Sequence, residues 1–336
     1  MDNNMKKKIL ITGSTGLVGS EAVNLFEELD EWDVIGIDNN MRAKFFGTPD
    51  KTPTVQLDIR DGRSLALFFK AYAPFDAVIH AAAQPSHDYS KKNVFEDFAV
   101  NTIGTLNLLE AVKHNCPDAT FVYISTDKVY GENMKRRGLK ETYTRWHHDK
   151  PFNEKTKLDQ AMRSPFGCSK LAADLYVQEY GLLYGMKTVC FRPGCITGSA
   201  HEGAELHGFL AYLAKCVKEG KKYTIFGYKG KQVRDQIHGR DLATACLAFI
   251  EKPKVAAVYN IGGGPDRSIS ILEAIDVFED GFKKEANVVY RDKPRKGDRQ
   301  WDVHDVSKFR KDYPEWDYEY SLNDILVELV NRQNGI

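Results

Sequence analysis

The stretch that most constrains this chain is KILITGSTGLVGS, Lys8 to Ser20, where a short aliphatic run breaks into glycines at 13, 16 and 19. Ile9, Leu10 and Ile11, without polar alternation, read as a parallel strand covered on both faces. The glycines then read as a tight turn into a helix, because residues without side chains let backbone approach a pyrophosphate at the helix N-terminus. Gly13, Thr15, Gly16, Leu17 and Val18 are therefore the first candidate cofactor-binding residues. A plain glycine-rich turn has the same spacing. The dinucleotide reading gains from the next apolar run, Val34 to Ile37, which ends in Asp38, an acid placed to bind an adenosine ribose. Asp38 favours NAD, and Arg42 close by keeps NADP open.

A third strand, Thr54 to Leu57, leads into Asp58-Ile59 at the adenine end of such a site. The fourth, Ala77 to His80, opens into Ala81, Ala82, Ala83 and Gln84, small residues that let a cofactor pass. Asn101 to Val112 has the spacing of an amphipathic helix, and Thr120 to Ile124 that of a fifth strand running into Ser125-Thr126-Asp127-Lys128. A long polar excursion follows, to about Arg163, whose length suggests a functional or covering loop. Ser164-Pro165 starts a helix to about Tyr184, and Thr188 to Arg192 is a sixth strand. Strands alternating with helices predict an α/β fold with a doubly wound parallel (Rossmann) sheet. The expected division is a nucleotide-binding domain over 1–193, rejoined by 231–262, and a smaller C-terminal α/β substrate lobe over 194–230 and 263–336. Gln232 to Leu242 reads as a loop, Val258 to Ile261 as a last strand, and Ser270 with Glu273 as a capping box.

Composition narrows the partners. With 47 basic and 47 acidic residues among 336, no long-range field draws in nucleic acid or an anionic membrane. The six cysteines show no CxxC pair or metal-ligand spacing, which predicts a reduced, cytoplasmic protein without a zinc site. No apolar run has the length of a membrane span.

Taken in order, GSTGLVGS, Asp38, Asp58-Ile59, HAAAQ, NTIGTLNLLEA, STDKVYG, SPFGCSK, FRPG and QVRDQIH resemble the extended short-chain dehydrogenase/reductase family of nucleotide-sugar enzymes. The resemblance implies a tightly held NAD that removes a hydride from a sugar carbon and returns it to the opposite face, in a homodimer or homotetramer. DNNMRAKFFG and the segment from GCITG to ELHGFL look most like the family's CDP-sugar epimerases, which implies inversion at C2 of a CDP-linked hexose. A UDP-sugar 4-epimerase and a non-catalytic NAD- or sugar-nucleotide-binding protein are the alternatives. The resemblance adds Asn39, Asn101, Lys170 and Arg192 to the cofactor set. It also implies Ser86, His87, Asp88, Thr126, Lys128, Tyr228, Arg234 and Arg299 as substrate residues.

The family pattern places the catalytic threonine at Thr126, a tyrosine at 166 and a lysine at Lys170, with Ser125 and Asp127 orienting the sugar. Residue 166 is phenylalanine, which neither accepts nor donates a proton. Three readings follow: Phe166 as a substitution introduced to trap a bound sugar nucleotide; a natural variant using His87, Asp88, Asp127 or Cys168 as proton acceptor; or an inactive binding protein. Lys128 carries separate information, because the family's 4,6-dehydratases have an acid pair after the threonine. With Asp127-Lys128 in its place, elimination of water is disfavoured and an epimerase or ketoreductase remains.

Overall fold

The computed structural model describes residues 6–41, 54–135, 137–198, 208–295 and 297–335. Arg42 and the stretch 199–207, which ends in ELH, lie outside these residues. The chain divides into two units: Met1–Val129, Ser164–Arg192 and Leu242–Tyr259 form one, and Tyr130–Arg163, Pro193–Asp241 and Asn260–Ile336 the other.

The first unit is built on a seven-stranded sheet. Its strands are β1 (Lys7–Thr12), β2 (Trp32–Asp38), β3 (Thr54–Gln56), β4 (Ala77–His80), β5 (Thr120–Ile124), β6 (Thr188–Pro193) and β7 (Ala257–Ile261), in the order β7-β6-β5-β4-β1-β2-β3. Every ladder from β3 through β6 is parallel. The aliphatic runs explain this: Ile9, Leu10 and Ile11 are all fully buried, and so are Val78, Ile79, Phe121 and Val122, as both-face cover by helices requires. On one face Leu10, Ile37, Val78, Phe121 and Cys190 pack with Leu65, Phe69, Leu109, Val112 and Val177 of the flanking helices. This is the expected doubly wound parallel sheet.

The helix predicted from Asn101 spans Gly104–Asn115, and the five residues before it, Ala99–Ile103, make a π-type turn continuous with helix Val94–Phe98. The helix from Pro165 runs to Tyr184, with Ser164 accepting from Gly167 N at its start and Gly185 in the left-handed region at its end.

In the second unit Gln232 to Leu242 is not a loop. Val233–His238 is a buried strand, paired antiparallel with Ser268–Ser270 and parallel with Trp301–Asp302 and Cys195–Thr197. Its polar residues are tolerated because they are paired: Arg234 with Asp298, Asp235 with His304, Gln236 with Thr197. Helices Phe209–Glu219, Ile271–Phe282 and Leu322–Asn334 share an apolar core that includes Leu213, Val217, Phe278 and Leu326. Ser270 and Glu273 make the expected capping box.

The polar excursion groups with this unit instead of the first. Its hairpin, Lys140–Glu141 against Trp146–His147, carries Arg145, whose Nε donates to Glu273 at 2.6 Å and whose Nη2 bonds Glu273 and Ser268 O. Tyr130–Arg163 thus belong to the second unit, where the sequence reading gave the nucleotide-binding domain the bounds 1–193. Residues 231–241 likewise join the second unit, through the strand just described.

Candidate active site

β1 ends at Thr12, and Gly13 turns the chain with φ of +69°, its N–H donating to Ile37 O at 2.8 Å. A Cβ on Gly13 would meet Ala82 N at 2.6 Å, and one on Gly19 would meet Gly13 O at 2.0 Å. Helix Leu17–Glu28 can therefore seat itself against the turn only with glycine at both positions. Its N-cap, Gly16, brings no side-chain acceptor, so the first-turn amides of Leu17 and Val18 keep their donors for an anion. These features fit a dinucleotide pyrophosphate. At the end of β2, Asp38 accepts from Thr15 N at 3.1 Å and Asn40 N at 2.8 Å, which fixes its carboxylate beside the turn. Asn39 Nδ2 donates to Asp58 at 3.0 Å, and Arg60 does so at 2.7 Å. Burial pushes the Asp58 carboxyl up, but the Arg60 and Asn39 hydrogen bonds outweigh it and hold it at about 2. Ile59 is buried beside it.

The opposite wall follows β4. Ala81 N donates to Thr12 O at 3.1 Å and Ala82 N to Thr12 Oγ1 at 3.2 Å, and Ala83 continues to Gln84. Gln84 N donates to Asn101 Oδ1 at 2.9 Å, and Asn101 Nδ2 returns a bond to Gln84 O at 3.1 Å. Behind this pair sits a carboxylate that sequence reasoning missed. Asp97, 1% exposed, accepts from Gln84 Nε2 and Ser169 Oγ, both at 2.6 Å, and burial raises its pKa against those bonds. Asp97 precedes a π-type turn, a local irregularity that often marks functional segments, and no spacing in the sequence announces it.

His80 holds the two walls together. Its Nδ1 lies 2.7 Å from Thr12 Oγ1 and its Nε2 2.8 Å from Thr105 Oγ1, and Thr105 donates its only hydroxyl proton to Asn101 O at 2.7 Å. Thr105 must then accept, so neutral His80 carries its proton on Nε2 and accepts from Thr12 on Nδ1. Burial, with Lys170 adding to it, pushes the imidazole down to about 3.

β5 delivers the next group. Ser125 Oγ donates to Asp174 Oδ2 at 2.6 Å, inside the fold, where Asp174 also accepts from Arg192 Nε at 3.0 Å and Nη2 at 2.7 Å. The structure thus places Ser125 and Arg192, read as sugar-orienting and cofactor residues, in one buried ionic cluster. Thr126 Oγ1 donates to Asp127 at 3.2 Å, and Lys128 Nζ lies 2.7 Å from Asp127 Oδ2. On the long helix, Phe166 and Lys170 stand one turn apart and both are buried. Lys170 Nζ donates to Ile124 O at 2.6 Å, 4.2 Å from the Tyr123 ring centroid; burial pushes the ammonium down to about 7, against the pull of Asp174, Cys190 and Asp97. His87 faces Phe166 with ring centroids 5.0 Å apart, and its Nδ1 is 2.7 Å from Ser164 Oγ. Ser86 caps the short helix that begins at His87, and Asp88 points to solvent with Lys91 at 2.9 Å.

Tyr228, Arg234 and Arg299 make a separate cluster in the second unit. Arg234 bonds Asp298 at 2.5 Å and Arg299 O at 2.8 Å, Arg299 Nε donates to Asp302 at 2.5 Å, and Tyr228 donates to Asp298 O at 3.2 Å. Burial opposes the Arg234 charge, but Asp302 and Asp298 prevail and raise its pKa. Among the described residues no group of His, Cys, Asp and Glu has the geometry of a metal site, and no helix is long and apolar enough to cross a membrane.

Residues 9–262 match the NAD dependent epimerase/dehydratase family. A CDP-paratose 2-epimerase of Salmonella typhi is 35% identical over 290 residues, 81% of this chain and 84% of that protein. Among solved structures, the UDP-glucose 4-epimerase of Thermotoga maritima, with UDP-glucose, aligns with a TM-score of 0.82 at 26% identity, covering 98% of this chain and 99% of that one. The UDP-glucose 4-epimerase of Thermus thermophilus, in complex with NAD, aligns with a TM-score of 0.79 at 25% identity, with the same coverage.

Proposed function

This chain belongs to the NAD dependent epimerase/dehydratase family, and from that footing we propose that it is a nucleotide-sugar epimerase acting on a CDP-linked hexose and inverting C2. The observation that carries epimerisation over dehydration is the Lys128 ammonium 2.7 Å from Asp127, at the place where loss of water would need a second acid. Similarity to the Salmonella CDP-paratose 2-epimerase supports the base and the carbon. A 4-epimerase on UDP-sugars is the second reading, favoured by the fold likeness to the Thermotoga enzyme.

Bound NAD supplies the removal and return of the carbon-bound hydrogen. The chain supplies placement. The Gly13 to Val18 turn takes the pyrophosphate, Asp38 the adenosine ribose, and Lys170 the nicotinamide ribose. Thr126, beside Asp127, holds the reacting hydroxyl and donates to the developing oxyanion. Arg234 and Arg299 take the sugar-nucleotide diphosphate, exchanging part of their pairing with Asp298 and Asp302 for phosphate oxygens. Exposed apolar residues on helices Val94–Phe98 and Pro165–Tyr184, among them Phe95, Leu182 and Leu183, support a homodimer through this face.

The test is to offer the NAD-loaded protein CDP-, UDP- and dTDP-hexoses and follow the sugar by proton NMR. The reading expects a CDP-sugar epimer with no loss of water. A 4-keto-6-deoxy product overturns it.

A further inference from the structure

We propose that His87 is the catalytic proton acceptor of this chain, standing in for the phenol that position 166 lacks. The inference rests on the epimerase reading and fills the one role that reading leaves vacant. Oxidising a secondary alcohol requires a group to take the hydroxyl proton, and Phe166 cannot.

The structure separates the four acceptors that the sequence offers for this role. Asp88 lies on an exposed helix face, paired with Lys91 at 2.9 Å. Asp127 is buried and held by Lys128 at 2.7 Å. Cys168 is exposed and follows Phe166 by two positions, which on a helix directs it away from the face shared by 166 and 170. His87 lies against Phe166 itself, ring centroids 5.0 Å apart and near edge-on.

The histidine is also held as a catalytic base must be. Ser164 Oγ lies 2.7 Å from Nδ1, and the same oxygen accepts from Gly167 N at 3.3 Å as the N-cap of the helix that carries Phe166 and Lys170. Ser86 caps the other helix, and His87 O accepts from Ser90 Oγ at 2.8 Å. Two helix starts therefore fix the imidazole beside residue 166. With Nδ1 assigned to Ser164, Nε2 exchanges the proton.

With NAD bound to supply hydride removal and return, the hydroxyl proton would pass to His87 Nε2 as the C–O bond became C=O, and the imidazolium would give that proton back to the carbonyl oxygen as the hydrogen was returned to the opposite face. Protons and electrons both balance over the cycle.

The experiment compares the parent, H87Q, F166Y and H87Q/F166Y, each loaded with NAD, on a CDP-hexose. Turnover is read by NMR and binding by calorimetry. H87Q is expected to bind the CDP-hexose as the parent does and to lose roughly a hundred- to ten-thousand-fold in turnover. Adding F166Y to H87Q is expected to restore turnover, since a phenol one turn before Lys170 supplies another acceptor, and a merely misfolded H87Q has no such rescue. Independently of activity, the imidazole signals of His87 in histidine-labelled protein are expected to move on adding the CDP-hexose and to stay put on adding CDP. H87Q turning over within about threefold of the parent overturns the proposal, as do His87 signals that ignore the sugar. A parent that is inert while F166Y is active also overturns it and leaves the epimerase reading standing. Inertness of every form on every sugar nucleotide ends both.

Discussion

Removing one partner of the Asp174–Arg192 pair should unfold the first unit more readily than any surface change, and the structure gives the size of the effect. Asp174 is fully buried, and the Arg192 side chain is 3% exposed. The carboxylate accepts from Arg192 at 2.7 and 3.0 Å, from Ser125 at 2.6 Å and from Gln178 at 2.7 Å. Asp174→Ala takes the carboxylate away from a guanidinium that stays buried, which typically costs about 3–5 kcal/mol. Replacing both, as Asp174→Leu with Arg192→Met, removes the stranded charge and should recover most of that loss. Native-state hydrogen exchange at the amides of β5 and β6 reports the opening free energy of the unit that holds the pair. The expected pattern is two destabilised single variants and a double variant closer to the parent. If Arg192→Met left exchange within about 0.5 kcal/mol of the parent but weakened NAD binding, Arg192 would act on the cofactor and the packing argument would be refuted.

Three further outcomes follow from the same geometry. Gly19→Ala places a methyl 2.0 Å from Gly13 O, so it should cost about 1–3 kcal/mol in urea denaturation and weaken NAD in calorimetry. Between pH 6.5 and about 3 the unfolded chain binds a proton at His80 that the folded chain refuses, so stability should fall as pH falls through that range, and His80→Gln should flatten the fall. Lys170 has the same sign at higher pH: from about 7 to 10.5 the unfolded chain holds the extra proton, stability should rise with pH, and Lys170→Met should remove the rise.

Much of the first unit was legible because its signals are local. Three glycines, an acid closing the second strand and unalternating aliphatic runs each follow from chain geometry and burial, and they place β1 to β6 and the turn between Thr12 and Leu17. The capping box at Ser270 is local in the same way. What escaped depends on partners distant in sequence. Val233–His238 carries four polar residues and looks like a loop until Asp298, His304 and Thr197 are seen to pair with three of them. Asp97 and Ser169 are 72 positions apart and meet only across two helices. Ser125 shows a serine at a strand end, and only the fold reveals that its hydroxyl turns inward to Asp174. Arg145 reads as one more surface charge, yet it bonds Glu273, 128 positions later in the chain. At position 166 the sequence shows the missing phenol, but His87, far earlier in the chain, becomes its neighbour only in three dimensions.

In the proposed reaction a carbon-bound hydrogen leaves a CDP-hexose and returns to its other face within one site. The direct test is to incubate the NAD-loaded protein with a CDP-hexose in D2O and follow the H1–H2 coupling and the isotope at C2 by proton NMR. Conversion of the coupling with protium kept at C2 is the predicted result. Deuterium at C2, or a coupling that never changes while a 4-keto-6-deoxy sugar accumulates, would contradict it.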